Sequence, residues 1–112
     1  MVKKNFKRKK NFLGKLDKPR ISIFRSNKAI YAQLIDDQTG KTLTYSSSQE
    51  KKLLLMNQSK TKMEISNEVG KLLGERAKKL NIKKVVFDKG RYLYHGRVKS
   101  LAEGAREKEL DF

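Results

Sequence analysis

A chain of 112 residues has room for one domain and one modest core. Its 28 Lys and Arg against 12 Asp and Glu leave a formal charge of +16, more than solubility requires, so a polyanion is the expected partner and nucleic acid the first candidate. Without cysteine there is no disulfide or thiolate metal site. Without an apolar run of about 18 residues, or an apolar face matched to the basic segments, no membrane partner is expected. The first basic residues are not followed by an apolar stretch, so no secretory leader is expected, and there is no internal repeat.

Residues 1–18 form a basic arm, with Lys7, Arg8, Lys9 and Lys10 at its centre and only Val2, Phe6, Phe12, Leu13 and Leu16 as apolar residues. Through Arg20 there are nine cations against one anion, Asp17. Such a segment cannot offset its own ordering entropy, so it is expected to be disordered or a frayed helix alone and to order on RNA. Residues 19–112 are expected to be the single globular domain. Arg20-Ile21-Ser22-Ile23-Phe24 alternates with period two, Arg25-Ser26-Asn27-Lys28 breaks it with turn formers, and Ala29 to Ile35 resumes it, which predicts a hairpin. A turn over Asp36 to Gly40 leads to a third strand, Lys41 to Ser46. Pro19 stands before the first strand and does not interrupt the sheet. The expected core is Ile21, Ile23, Ile30, Ala32, Leu34, Leu43 and Tyr45.

Ser46 to Ser59 is polar around Leu53-Leu54-Leu55-Met56 and suggests a short helical piece. Thr61-Lys62-Met63-Glu64 has capping-box spacing, so a helix should follow, with Ile65, Val69, Leu72, Leu73, Ala77 and Leu80 on its buried face. Gly70 and Gly74 each weaken it by up to about 1 kcal/mol relative to Ala, and their spacing marks one side for close packing. Asn81 is a left-handed stop after Lys78 and Lys79. Ile82 to Phe87 should be a returning strand, its Val85-Val86-Phe87 run buried on both faces; if it lies parallel to the third strand, the crossover should be right-handed. A last helix begins near Arg97, with Val98, Leu101, Ala102 and Ala105 inward and Glu103, Arg106, Glu107 and Lys108 outward. The fold class is therefore α+β: a small mixed sheet of three antiparallel strands plus a returning one, packed with two main helices.

Between the returning strand and the last helix, Lys89, Arg91, Tyr92, Tyr94, His95, Arg97 and Lys99 surround Gly90 and Gly96. Cations suit phosphates, flat rings suit bases or sugars, and glycine lets two backbones approach, so this loop is expected to lie against RNA. Of the two tyrosines, Tyr94 is the ring expected to face the partner. Asp36 and Asp37 are expected to be turn formers rather than an acid-base pair, and Asp88 to brace the loop by pairing with a cation. Ser46-Ser47-Ser48 is a polar strand end with no activating histidine beside it, and the lone His95 does not make a metal site. Without convergent titratable groups no enzyme and no cofactor is expected, nor a small-molecule substrate. Duplex DNA fits the charge, but the two clear helices carry mixed charge and suit a major groove poorly.

Three blocks in order, Pro19-Arg20-Ile21-Ser22-Ile23-Phe24-Arg25-Ser26-Asn27-Lys28, Ile30-Tyr31-Ala32-Gln33-Leu34-Ile35-Asp36-Asp37, and Val85-Val86-Phe87-Asp88 followed by Tyr94-His95-Gly96-Arg97-Val98-Lys99, give the chain its resemblance to a known family. From about residue 18 to 112 it resembles large ribosomal subunit protein eighteen of the bacterial and plastid type, the arm matching in charge only. The resemblance implies a non-catalytic protein that binds 5S rRNA and helps attach it to large-subunit rRNA in the central protuberance, beside neighbouring ribosomal proteins. It implies RNA contacts at Arg20, Arg25, Ser26, Asn27 and Lys28, and at Lys89, Arg91, Tyr94, His95 and Arg97. The family usually has Arg-Gly-Gly where this chain has Lys89-Gly90-Arg91, which moves or removes a bidentate contact. It also tends to Ala at Gly74 and Gly at Asn81, positions that bear on the helix. A general nucleic-acid-binding module outside the ribosome is the alternative. The Lys, Asn and Ile bias of the composition leans toward a plastid rather than a bacterial cytoplasm.

Overall fold

The computed structural model describes residues 18–55 and 60–112. The basic arm, with Lys7 to Lys10, lies outside the described residues, as do residues 56–59. In chain order the elements are β1 (Arg20–Arg25), β2 (Ile30–Asp36), β3 (Lys41–Ser47), α1 (Lys51–Leu54), α2 (Lys62–Lys79), β4 (Val86–Asp88) and α3 (Arg97–Glu107). The sheet order is β3-β2-β1-β4, with β4 parallel to β1 and the other two pairings antiparallel. β4 therefore runs in the same direction as β3 but at the opposite edge.

Both long helices lie on one face of the sheet, because period two gathers the aliphatic residues of β1 and β2 on that face. Ile21 and Ile23 of β1 and Ala32 and Leu34 of β2 pack with Val69, Leu73 and Ala77 of α2 and Val98, Leu101 and Ala105 of α3 in one cluster. The α2 start is the expected capping box: Thr61 Oγ1 accepts from the Glu64 amide at 3.1 Å while the Glu64 carboxylate accepts from the Thr61 amide at 2.8 Å. The helix ends on Asn81 with φ 62°, the left-handed stop its side chain tolerates.

Four expectations need correction. In β3, Tyr45 is 60% exposed and Leu43 only partly buried. The pairing with β2 shifts between Leu34 and Ile35, making Leu43 the extra residue of a bulge and turning Ser46 inward opposite Ala32. Ser46 is tolerated there because its hydroxyl donates to the Val69 carbonyl at 2.9 Å, where α2 crosses the strand. Second, β4 is not buried on both faces. It is a three-residue edge strand of half-buried residues, and only Val85 before it is fully enclosed. The chain's last residues take the next position, with Val85 donating to Asp111 at 3.0 Å and Phe112 stacked on Phe87 at 5.3 Å. Third, regular strand pairing begins at Val86 rather than Ile82. Fourth, Leu80 is 49% exposed, since α2 has stopped one residue earlier.

The two helices are parallel. Ser100 Oγ donates to the Met63 carbonyl at 2.6 Å and Asn67 Nδ2 to the Ser100 carbonyl at 3.1 Å. A Cβ on Gly70 would strike the Leu101 carbonyl, and one on Gly74 would meet Lys108 Cβ at 2.6 Å. Positions climb together along both helices, so both N-termini lie at one end, and the glycines permit the close approach that keeps them there.

Candidate nucleic-acid interface

That end is where β1 turns into β2. Lys62, the first residue of α2, donates from Nζ to the Asn27 carbonyl at 2.8 Å, and Arg97, the first residue of α3, donates from Nη2 to the Ser26 carbonyl at 2.8 Å. Because β4 runs parallel to β1, the loop leaving it arrives at the same turn. Tyr92 accepts from the Arg25 amide at 3.1 Å through its hydroxyl, and the Arg25 guanidinium lies over the Tyr92 ring at 4.9 Å. Gly96, with φ 58°, makes the left-handed step that starts α3 directly from the loop. Lys28, Lys62 and Arg97 share a shallow cleft with Ser48 and Gln49.

Among the described residues, Arg25, Lys28, Lys62, Lys89, Arg91, Arg97 and Lys99 have no carboxylate within ion-pair distance, as is also true of Lys41, Lys83 and Lys84 at the other end of the sheet. Lys71, Arg76, Lys78 and Lys108, toward the backs and far ends of the helices, each do. Burial and the neighbouring Arg25 push the Arg97 pKa down, opposed only by Tyr92. Two parallel helices add about half a positive charge each at their N-termini, and the first turn of α3 holds Arg97 and Lys99 without an acid. Cations there oppose the helix dipole, which is favourable only when an external anion is bound between them.

Not every expected contact residue belongs to this end. Arg20 sits at the other end of β1, about 16 Å away at strand rise. Its guanidinium is closed by Asp37 Oδ2 and Oδ1, both at 2.9 Å, and by Asp88 Oδ2 at 3.0 Å. The hydrogen bond that Arg20 donates to Asp37 is the main reason its pKa is raised. Asp88 braces the loop as expected, its Oδ1 accepting from the Gly90 amide at 2.9 Å. Asp36 is the expected turn former, accepting from the Gln38 amide at 3.1 Å and the Thr39 hydroxyl at 2.9 Å. Tyr94 packs edge-on against Phe87 at 6.0 Å and accepts from Arg106 Nη1 at 3.1 Å, yet is 39% exposed. Lys89, Arg91, His95 and Lys99 are exposed, as are Ser26 and Asn27, whose carbonyls hold the two helix starts. The cation at this end that sequence reasoning missed is Lys62. The available signal was a lysine in the first turn of a capped helix, where acids are preferred.

The arrangement can bind anions, and among the described residues no group of three His, Cys, Asp or Glu side chains could hold a metal. The serines at 46–48 are occupied as structural hydrogen-bonding groups, Ser48 Oγ for example accepting from the Ile30 amide at 3.0 Å. The model for the family described as ribosomal L18 of archaea, bacteria, mitochondria and chloroplast matches residues 2–112. The chain belongs to the ribosomal L18 family. A Staphylococcus saprophyticus relative, large ribosomal subunit protein uL18, is 50% identical over 99% of this chain and 91% of its own length. The proteins of the same name from a Bradyrhizobium strain and from Thermotoga petrophila are 56% and 51% identical, over 85% and 93% of this chain and 79% and 85% of theirs. Family membership carries a structural, non-enzymatic role in the ribosome with rRNA as partner. The match also reaches residue 2, so likeness to L18 extends into the basic arm.

Proposed function

We propose that this chain binds 5S rRNA and helps to attach it to large-subunit rRNA in the central protuberance. The observation that carries the reading is the meeting of two helix N-termini with Arg25, Lys28, Lys62 and Arg97 at one end of the sheet, without a carboxylate partner. Phosphates bind there, Lys89, Arg91, Tyr94, His95 and Lys99 extend the contact along the loop, and Ser26 and Asn27 supply polar groups at the turn. Residues 1–18 act as a basic arm beside the domain of residues 19–112 and add phosphate contacts through Lys7, Arg8, Lys9 and Lys10. Arg20 acts on the RNA only indirectly, by holding Asp88 and with it the loop. Affinity comes from phosphate neutralisation and specificity from the shape of folded RNA.

The location that family membership carries is the ribosome. The three relatives are bacterial and give the plastid lean of the composition no support of its own.

Competition settles the reading. The full chain should prefer 5S rRNA to duplex DNA, and with roughly 8 phosphate contacts its affinity should fall by several powers of ten between about 50 and 200 mM salt. Preference for the duplex would favour a general nucleic-acid-binding module outside the ribosome. A flat salt response would overturn the mechanism.

A further inference from the structure

The sheet face turned away from the helices carries three rings. Phe24 and Tyr31 stand opposite one another on β1 and β2, their centroids 6.0 Å apart and their planes tilted by 36°, and Tyr45 stands on β3 opposite Gln33. Phe24 is 61% exposed, Tyr45 60% and Tyr31 37%. Ser22 and Gln33 line a shallow hollow together with Phe24 and Tyr31. An open sheet face is ordinarily polar, and a cluster of exposed rings marks an interaction surface.

The composition of the face and its position say what covers it. Flat rings alternate with a hydroxyl and an amide, a set that meets both the face and the edge of a planar, hydrogen-bonding heterocycle. The rings and the polar groups between them carry no charge, but the chain passes directly from Phe24 into Arg25, and so into the end where cations lack carboxylate partners. A polymer with an anionic backbone and flat bases matches both parts at once. At the other end of β1, Arg20 is closed by Asp37 and Asp88, so of the two arginines that bound the strand Arg25 is the one open to a phosphate. We propose that the open sheet face is a stacking platform for unpaired bases of the RNA whose backbone is held at the cationic end, with Phe24 and Tyr31 supplying the rings and Ser22 and Gln33 reading base edges. This rests on the RNA-binding reading above and names the part of the RNA involved: looped-out bases rather than a continuous duplex.

The test uses the full chain, a 5S rRNA transcript, binding across a salt series, and chemical probing of base edges. Phe24→Ala with Tyr31→Ala should weaken binding by roughly tenfold or more while leaving the salt slope unchanged, since stacking is lost and phosphate contacts are kept. The same variant should expose a small set of unpaired nucleotides that the parent protein protects. Both side chains are solvent-facing, so the melting temperature should hold, and Phe24→Leu with Tyr31→Leu provides an apolar control that keeps bulk and removes the flat ring. Leucine variants that bind as tightly as the parent, or alanine variants that leave both affinity and protection unchanged, overturn the platform and leave the RNA reading standing; a face that docks an apolar protein surface gives this result. A parent chain that does not bind the transcript overturns the RNA reading and the platform with it.

Discussion

β1 begins and ends on arginine, and the two ends use it in opposite ways. Arg20 is half-buried and makes three hydrogen bonds to two carboxylates, so its charge is spent inside the protein, tying the β2–β3 turn to the loop after β4. Arg25 is exposed, lies on the Tyr92 ring and has Arg97 as a charged neighbour. A guanidinium facing carboxylates stabilises the free fold; one facing other cations costs the free fold and is repaid by a bound polyanion. The difference separates the stability of this molecule from its binding, and substitutions at the two ends should separate them too.

The largest effect should come from neutralising the cationic end. Lys28→Ala, Lys62→Ala and Arg97→Ala combined should weaken RNA binding by about 10²- to 10³-fold at low salt and lower the salt slope by about 3, one for each phosphate contact removed. Thermal stability should change little, the loss of the hydrogen bonds to the Asn27 and Ser26 carbonyls being offset by relief of mutual repulsion. Equal losses of melting temperature and affinity would mean that these cations serve the fold.

Next comes the device that aligns the two helix starts. In Gly70→Ala the added carbon meets the Leu101 carbonyl and the Ala105 amide, backbone atoms that cannot swing aside. Overpacking there should cost about 1–3 kcal/mol, with a fall of about 4–8 °C in melting temperature per kcal/mol. Binding should weaken as well, because α3 must shift against α2 and carry Arg97 away from the Ser26 carbonyl. A calorimetric melt and a binding isotherm on one sample check both. A variant that melts normally would show that the helices have room to separate.

Arg20→Ala should do the reverse of the cation substitutions. Its side chain is only 22% exposed, and removal takes three hydrogen bonds from the Asp37 and Asp88 carboxylates, so a loss of about 1–2 kcal/mol in stability is expected after allowing for solvent screening. RNA affinity should stay within about threefold of the parent, that being the size of an indirect effect through the loop. A loss of affinity as large as that caused by Arg97→Ala would erase the contrast between the two ends.

These residues also show where reading the chain alone succeeds. Ile21, Ile23, Ile30, Ala32 and Leu34 are inward, as their period demands, because both phases of β1 and β2 differ sharply in polarity. In β3 the odd positions Leu43 and Tyr45 are the apolar ones, yet the even positions Thr44 and Ser46 face the helices. The deciding facts are a bulge and a hydrogen bond to the Val69 carbonyl, both formed across the sheet and invisible to local periodicity. The site was legible in part for the same reason. Arg25, Lys28 and Arg97 stand out as basic residues in turn and loop, but Arg20 looks identical to them in sequence, and its partners lie 17 and 68 residues away. Lys62 reaches the same end as Arg97 only because α2 and α3 run parallel, a matter of tertiary packing.

The smallest effect concerns the acid that does stand at the cationic end. Glu64 lies in the first turn of α2, and its pKa is lowered mainly by the hydrogen bond from the Thr61 amide, which favours the charged carboxylate. A depressed folded value means that the stabilisation is fully present above the unfolded value of about 4.3 and is lost as pH falls through the lower folded value. In Glu64→Gln the amide still accepts from Thr61 but no longer titrates, so this part of the acid limb of the melting curve should flatten below about pH 4.3. The substitution also removes a negative charge from the surface assigned to phosphates. At neutral pH and low salt it should therefore tighten RNA binding, by less than about threefold because the charge is screened by water and ions. Weaker binding by the Gln variant would mean that the helix start matters to the RNA through its capping geometry, and that charge alone does not distinguish this end from the one closed by Arg20.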